Sequence, residues 1–418
     1  MVTNAHHRIL IVGGGAAGIT VAAELGRRAT DKLDIAIVEP STLHYYQPAF
    51  TLVGGGVCTL ASTRRYEESL IPSGVVWIKD AAGGFEPEAN AVMLASGGRI
   101  TYDYLVVCPG LQLNFNEVQG LRDTLGKHNV CSNYSPNFVE YTWDCVRQLR
   151  KGAKALFTQA PLPFKCPGAP QKIVYLAADH LRKQGFLEAS KVTFCTHAAA
   201  IFGVPIYAKE LVKVAQGYGI DVRYQHNLIA VDGPNHRATF KIVGGEQEGQ
   251  TVDIEFDMLH VTPPQSAPDF VRLSPLANAA GFVDVHQHSL QQVKYKNIFG
   301  LGDAWSTPNS KTAAAVRKQA PVVARNILAA MRSATLEESY DGYASCPLTT
   351  AYGKVLMAEF IYGGKPTPTF PLDPRTQRSV WWWCKTTGLP LLYWQYMLKG
   401  YEAFPGHDKT WLDRHPNA

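Results

Sequence analysis

The sequence predicts an α/β fold: two Rossmann-like domains, the second inserted in the first, followed by a C-terminal region of a different kind. Three observations carry that expectation. The chain opens with a strand, a glycine-rich turn, a helix and a second strand ending in an acid. A strand that ends in Gly302-Asp303 and leads into a helix lies far downstream. With 418 residues, 46% of them hydrophobic, the chain can fill two or more cores.

Each element is read in order. Arg8–Val12 is a short run with apolar residues on both faces, as in a central parallel strand. Gly13-Gly14-Gly15-Ala16-Ala17-Gly18 follows, then the helical stretch Ile19–Arg28. This is G-x-G-x-x-G between strand and helix. Gly13 permits the tight turn, Gly15 lets a pyrophosphate approach, and Gly18 lets helix and strand pack closely; Ala16 and Ala17 complete the loop. The next strand, Asp34–Val38, ends in Glu39, placed to hold a ribose hydroxyl. Tyr102–Gly110 is a strand ending in a tight turn, and Asn297–Asp303 is another short strand. Lys311-Thr312-Ala313 starts a helix that runs to about Met331.

Together these stretches resemble the FAD-binding fingerprints of the two-dinucleotide-binding-domain flavoproteins. The resemblance implies that Asp303 binds the flavin ribityl or pyrophosphate, and that the helix begun at Lys311 and Thr312 points its N-terminus at the isoalloxazine. Cys108-Pro109-Gly110 departs from the Ala-Thr-Gly usual there. The expected division is 1–150 and 271–335 for the FAD-binding domain, 151–270 for the inserted one, and 336–418 for a C-terminal redox-cysteine and membrane region.

The inserted domain lacks its own glycine fingerprint. The strand Ala153–Thr158 leads into Gln159–Pro170, with no backbone cradle for a nicotinamide pyrophosphate. Electrons are therefore not expected from NAD(P)H. Cys166 sits there instead, between Lys165 and Lys172. Pro170 suits the first turn of a helix, so Cys166 lies near a helix N-terminus, which favours a thiolate. Cys346 is likewise followed by proline.

The tail is aromatic: Trp381-Trp382-Trp383, then Leu389–Tyr401, with Lys385 and Lys399 beside them. Tryptophan, tyrosine and lysine suit a lipid headgroup boundary. A core helix or an interface in a homo-oligomer is the alternative use. Whole-chain balance agrees with apolar contact. Charged residues make up 18%, below the ~25% usual in soluble domains, and aromatics 11%. The net charge of +5 is mild and no Lys/Arg run marks a nucleic-acid site. The eight cysteines are scattered without a CxxC pair, so neither zinc nor a disulfide framework is expected. No signal peptide is visible, and no run approaches the ~20 apolar residues of a bilayer span.

The combination resembles the sulfide:quinone oxidoreductases, particularly their mitochondrial-like branch. The resemblance spans nearly the whole chain. It is carried by Val38-Glu39-Pro40, His44-Tyr45-Tyr46-Gln47-Pro48, Ser132-Asn133-Tyr134-Ser135, the stretch Lys165–Lys172, His260-Val261-Thr262-Pro263-Pro264, Tyr340-Asp341-Gly342-Tyr343 and Ser345-Cys346-Pro347-Leu348. It implies FAD, contacted also by Gln47 and Gly110, and a redox-active pair Cys166–Cys346. Sulfide would attack the oxidised pair, leaving a persulfide on Cys346 and a thiolate on Cys166 that faces the flavin. Quinone would reoxidise the flavin, and sulfide, sulfite or glutathione would accept the sulfur. Two residues match a different branch: Cys131, either a third sulfur handler or an inert thiol, and His197, either a base or a core histidine. The absent transit peptide points to a bacterial inner membrane. The rival enzyme is an NADH:quinone oxidoreductase. A sulfide dehydrogenase flavoprotein serving a cytochrome, or a flavin sensor without turnover, are further alternatives.

Overall fold

The computed structural model describes residues 5–336, 338–404 and 406–415. Two sheets organise it. In the first, parallel strands Val76–Ile78, Ile35–Val38, Ala5–Val12 and Arg99–Val107 run side by side, and Ile298–Gly300 joins Arg99–Val107 on its far edge. Register fixes what this sheet presents. Val12 pairs with Val38 and with Val107, and Gly300 pairs with Val107. Gly13, Glu39, Cys108 and Leu301–Asp303 therefore line one carboxyl edge, where open α/β sheets take their ligands.

The glycines earn their positions locally. Gly13 has φ +107°, and a Cβ there would lie 2.5 Å from the Cys108 carbonyl oxygen. A Cβ on Gly18 would lie 1.9 Å from the Gly13 oxygen. Gly18→Ala is therefore expected to force apart the turn and the helix Ala16–Arg28, and purified protein should lose its flavin absorbance relative to protein absorbance. Retention of a full flavin complement would refute this reading of the turn.

The second sheet is wholly parallel, in the order Val130–Cys131, Met258–His260, Lys154–Gln159, Lys191–Thr196, Asp221–Arg223. The expected boundary at residue 150 accordingly moves. Val130–Cys131 pairs with the second sheet, and Cys145, Val146 and Leu149 of the helix-bearing stretch after it fill that sheet's core. We place both crossings at the short pair Gln112–Leu113 with Gln265–Ser266, since Val118, Leu121 and Leu125 already pack with Leu156, Cys195 and Leu259 of the second sheet.

A third sheet carries Cys346. Strands Ala344–Ala351 and Lys354–Ile361 pair antiparallel, with Cys346 opposite Ala358, and the helix Ala169–Lys183 packs on the first of them. The tail then divides. Trp381 packs against Val355 and Met357 of this sheet, whereas Tyr393, Met397 and Leu398 join the core of the first domain. Among the described residues no helix is long and apolar enough to cross a membrane.

Candidate functional site

Three segments from different parts of the chain meet at Cys166. Its loop precedes the helix Ala169–Lys183, with Pro170 in the first turn, as the sequence predicts. The Cys166 backbone is left-handed, φ +50°, a conformation that a non-glycine residue holds only when its surroundings impose it. Here they do: the Cys166 amide donates to the Lys311 carbonyl at 2.8 Å, and the Ala169 amide donates back to the Cys166 carbonyl at 2.7 Å. The cysteine loop is thus fastened to Lys311, two residues before the start of the helix Ala313–Met331 of the first domain.

Cys346 approaches from the third sheet, its Sγ 3.9 Å from the Sγ of Cys166. Gly168 permits this: a Cβ there would sit 2.3 Å from Leu348 Cδ2. The gap exceeds a disulfide bond of about 2 Å, and both cysteines stand free.

Charge then separates the pair. Lys172, one turn into the helix, donates from Nζ to Cys166 Sγ at 3.1 Å. The hydrogen bond from Cys346 holds the Cys166 thiol well below its ordinary pKa, against the opposing effect of burial; the Lys172 and Lys385 ammonium groups add to it. The same hydrogen bond, with burial, pushes Cys346 well above. The surroundings thus favour Cys166 as the thiolate and Cys346 as the thiol that donates to it.

Lys385 is a correction to the sequence reading. It does not lie at a headgroup boundary: its side chain turns inward, is 3% exposed, and has Nζ 3.5 Å from the Pro48 carbonyl. Burial, with the neighbouring Lys172 charge, brings its pKa down to about 7. Sequence reasoning missed Lys385 and gave Lys172 no role. The signal for Lys172 was its place in the same helix, six residues after Cys166; a lone lysine inside a tryptophan-rich segment was the only signal for Lys385.

The cofactor residues gather along the carboxyl edge. Glu39 accepts from the Gly14 amide through Oε2 and from the Ser41 amide through Oε1, both at 2.8 Å. Gly15 has no heavy atom within 4 Å of a Cβ position, which leaves the turn open to a phosphate. A Cβ on Gly302, φ +85°, would lie 3.4 Å from Ala17 Cβ, so the turn brings Asp303 close to the glycine loop. Gly110, φ +76°, closes the turn after Cys108. Burial raises the Asp303 carboxyl, and the charges of Lys165 and Lys311 oppose it. Gln47 reaches across the domains, accepting from Lys165 Nζ at 3.0 Å. Thr312 caps the helix Ala313–Met331 by accepting from the Ala315 amide. Lys311 folds its own ammonium back onto the Trp305 carbonyl at 2.6 Å, with burial lowering its pKa to about 8. The open glycine turn, the acid directly after the strand Ile35–Val38 and a buried Glu67 oxygen beside Gly14, unpartnered among the described residues, fit the adenosine diphosphate half of FAD.

Neither residue of the other branch joins the cysteine pair. Cys131 lies against Thr142 and Cys145, its Sγ 3.5 Å from the Leu259 carbonyl, and burial pushes its thiol well above the ordinary value. His197 follows the strand Lys191–Thr196; among the described residues its ring makes no hydrogen bond, and only its amide does, to Gln159. In the second sheet nine residues, 160–168, separate the strand Lys154–Gln159 from the helix Ala169–Lys183, where a nicotinamide cradle would be a short glycine turn, and buried Phe164 fills the space.

Known proteins resemble this arrangement. The family described as pyridine nucleotide-disulphide oxidoreductase matches residues 7–139. Mouse "Sulfide:quinone oxidoreductase, mitochondrial" is 42% identical over 96% of this chain and 88% of its own length. The Dictyostelium discoideum protein of the same name is 42% identical over 94% and 86%. The solved sulfide:quinone oxidoreductase of Aquifex aeolicus superposes with a TM-score of 0.78 at 21% identity, covering 96% and 92%, and supports the fold. The named relatives are mitochondrial, so the expected bacterial inner membrane receives no support from them. By its likeness to these relatives over nearly its whole length, this chain belongs to the sulfide:quinone oxidoreductase family.

Proposed function

We propose that this protein oxidises sulfide through Cys166 and Cys346 and delivers the electrons to a quinone. The observation that carries the reading is the polarised pair: a lysine-held thiolate 3.9 Å from a protonated thiol, on a loop pinned to Lys311.

The residues account for each step. In the oxidised state Cys166 and Cys346 are joined by a disulfide or through one bridging sulfur. Hydrosulfide attacks the Cys346 sulfur. Where the two cysteines are joined directly, a sulfur–sulfur bond forms there as the bond to Cys166 breaks; Cys346 then carries the persulfide and Cys166 leaves as a thiolate, the form that the Lys172 ammonium stabilises. Where one sulfur bridges them, the bond from Cys346 to that sulfur breaks instead, and Cys166 leaves as a persulfide anion beside the same ammonium. The Gly13–Gly18 turn, Glu39 and Asp303 would hold FAD, which would supply a two-electron acceptor reoxidisable by quinone. A nucleophile such as sulfide, sulfite or glutathione accepts the outer persulfide sulfur. Lys385, with its pKa near 7, can give or take a proton beside the pair.

Anaerobic mixing with sulfide should bleach the flavin, and decylubiquinone should restore it. Flavin reduced rapidly by NADH and untouched by sulfide would establish the rival nicotinamide-driven reaction.

Membrane docking belongs to the same proposal. Val380, Trp383, Leu391 and Tyr396 are exposed, while their neighbours Trp381, Tyr393 and Met397 are buried. Removing the tail would therefore strip two cores, and surface substitutions are the cleaner test. Val380→Ser, Trp383→Ser and Leu391→Ser together should lower partition onto phospholipid vesicles about 100-fold or more, since each buried large apolar side chain is worth roughly 1.5–3 kcal/mol. Unchanged partition would assign this face to contact between copies of the chain.

A further inference from the structure

The string His44-Tyr45-Tyr46-Gln47-Pro48 carries more than Gln47. His44 is 4% exposed and lies between two groups from distant parts of the chain. Its Nδ1 is 3.2 Å from Glu67 Oε2, and its Nε2 is 2.5 Å from the Tyr393 hydroxyl. Tyr393 belongs to the tail helix Leu389–Gln395. Tyr46 packs on the same helix, with ring centroids 4.8 Å from Tyr393. At the other end, Glu67 is 1% exposed, and its second oxygen, Oε1, is buried with no hydrogen-bond partner among the described residues. A Cβ on Gly14 would lie 2.6 Å from that oxygen and 2.7 Å from Cβ and Cγ of Glu39. Glu67 Oε1 therefore stands against the glycine turn, beside the acid that serves a ribose.

A buried carboxylate oxygen left unpaired is a cost that a hydrogen-bond donor removes. The donors that arrive at this place are the hydroxyls of the cofactor's ribose. Tyr393 can donate to Nε2 of His44, which sets the imidazole proton on Nδ1 and directs it to Glu67. The chain of hydrogen bonds then runs from the tail helix to Glu67, whose other oxygen faces the glycine turn.

We propose that Glu67 is a second carboxylate of the adenosine-ribose site, and that Glu67, His44 and Tyr393 link occupancy of that site to seating of the tail helix. FAD tightens the tail onto the body, and by reciprocity a seated tail tightens FAD. His44 and Tyr393 are positioning residues here, acting through Glu67.

The test uses the full-length protein stripped of flavin and titrated with FAD, with binding read from flavin fluorescence. Glu67→Gln and Tyr393→Phe should each weaken FAD binding on the order of 5- to 10-fold, within the range of ordinary coupling energies. The double variant should be weaker by less than the product of the two, because both interrupt one chain. Tyr393→Phe keeps the ring and its packing, so the flavin-free variant should melt like the flavin-free parent, while its stabilisation by added FAD shrinks. Protease should cut the tail near 384–401 faster without FAD than with it. Wild-type FAD affinity in Tyr393→Phe, or effects that multiply independently, would overturn the proposal. None of these readouts involves sulfide or quinone, so they stand apart from the fate of the proposed reaction.

Discussion

Cys166→Ser and Cys346→Ser should each lose sulfide-driven flavin reduction by at least about 10³-fold while keeping FAD bound and reducible by dithionite. The two variants should fail for different reasons. Cys166→Ser removes the thiolate that Lys172 holds at 3.1 Å. A serine hydroxyl is too weak an acid to replace it at neutral pH. Cys346→Ser leaves a thiolate on Cys166 but removes both the thiol proton that stabilises it and the sulfur that takes the persulfide. Its residual thiolate should still react with iodoacetamide, whereas Cys166→Ser should react slowly, because Cys346 alone stays protonated in its buried setting. Rapid bleaching by sulfide in either variant would dissolve the assignment of the pair.

Lys172→Met should slow alkylation of Cys166 in the reduced protein at neutral pH by about 10- to 100-fold, the equivalent of about 1.5–3 kcal/mol for a charge-assisted hydrogen bond. The sign follows from the direction of the Cys166 shift. Its thiolate is favoured, so it persists as pH falls below the ordinary thiol range and is lost only at the depressed value. Removing Lys172 moves that loss upward in pH, and the rate of alkylation against pH should shift in the alkaline direction. A variant with the parent's pH profile would leave Lys172 as a packing residue only. Lys172→Arg keeps the charge and should restore much of the rate.

Much of this was legible in the sequence because its determinants are local. The turn Gly13–Gly18 needs a carbonyl and a helix only a few residues away, and the Cβ contacts at Gly13 and Gly18 confirm that steric logic. Pro170 set the helix start, and with it the position of Cys166. The boundary at 150 was misplaced because Val130–Cys131 is a strand of two residues, too short to show any alternation. Lys385 was misread because burial of one lysine among tryptophans depends on what the chain meets, 337 residues away at Pro48. Glu67 and Tyr393 were illegible for the same reason: each looks like an ordinary surface acid or aromatic until His44 is placed between them.

The fastening of the Cys166 amide to Lys311, in a loop closed on itself by the Ala169 amide, has a mechanical consequence. When the 3.9 Å separation closes to a covalent bond, the loop has little freedom to yield, so the adjustment falls on the sheet that bears Cys346. Cys346 is paired across from Ala358, on the strand whose Val355 and Met357 pack against Trp381. Oxidation and reduction of the pair should thus be audible at that indole, and the emission of Trp381 offers an optical gauge of sulfur redox state that does not depend on flavin colour.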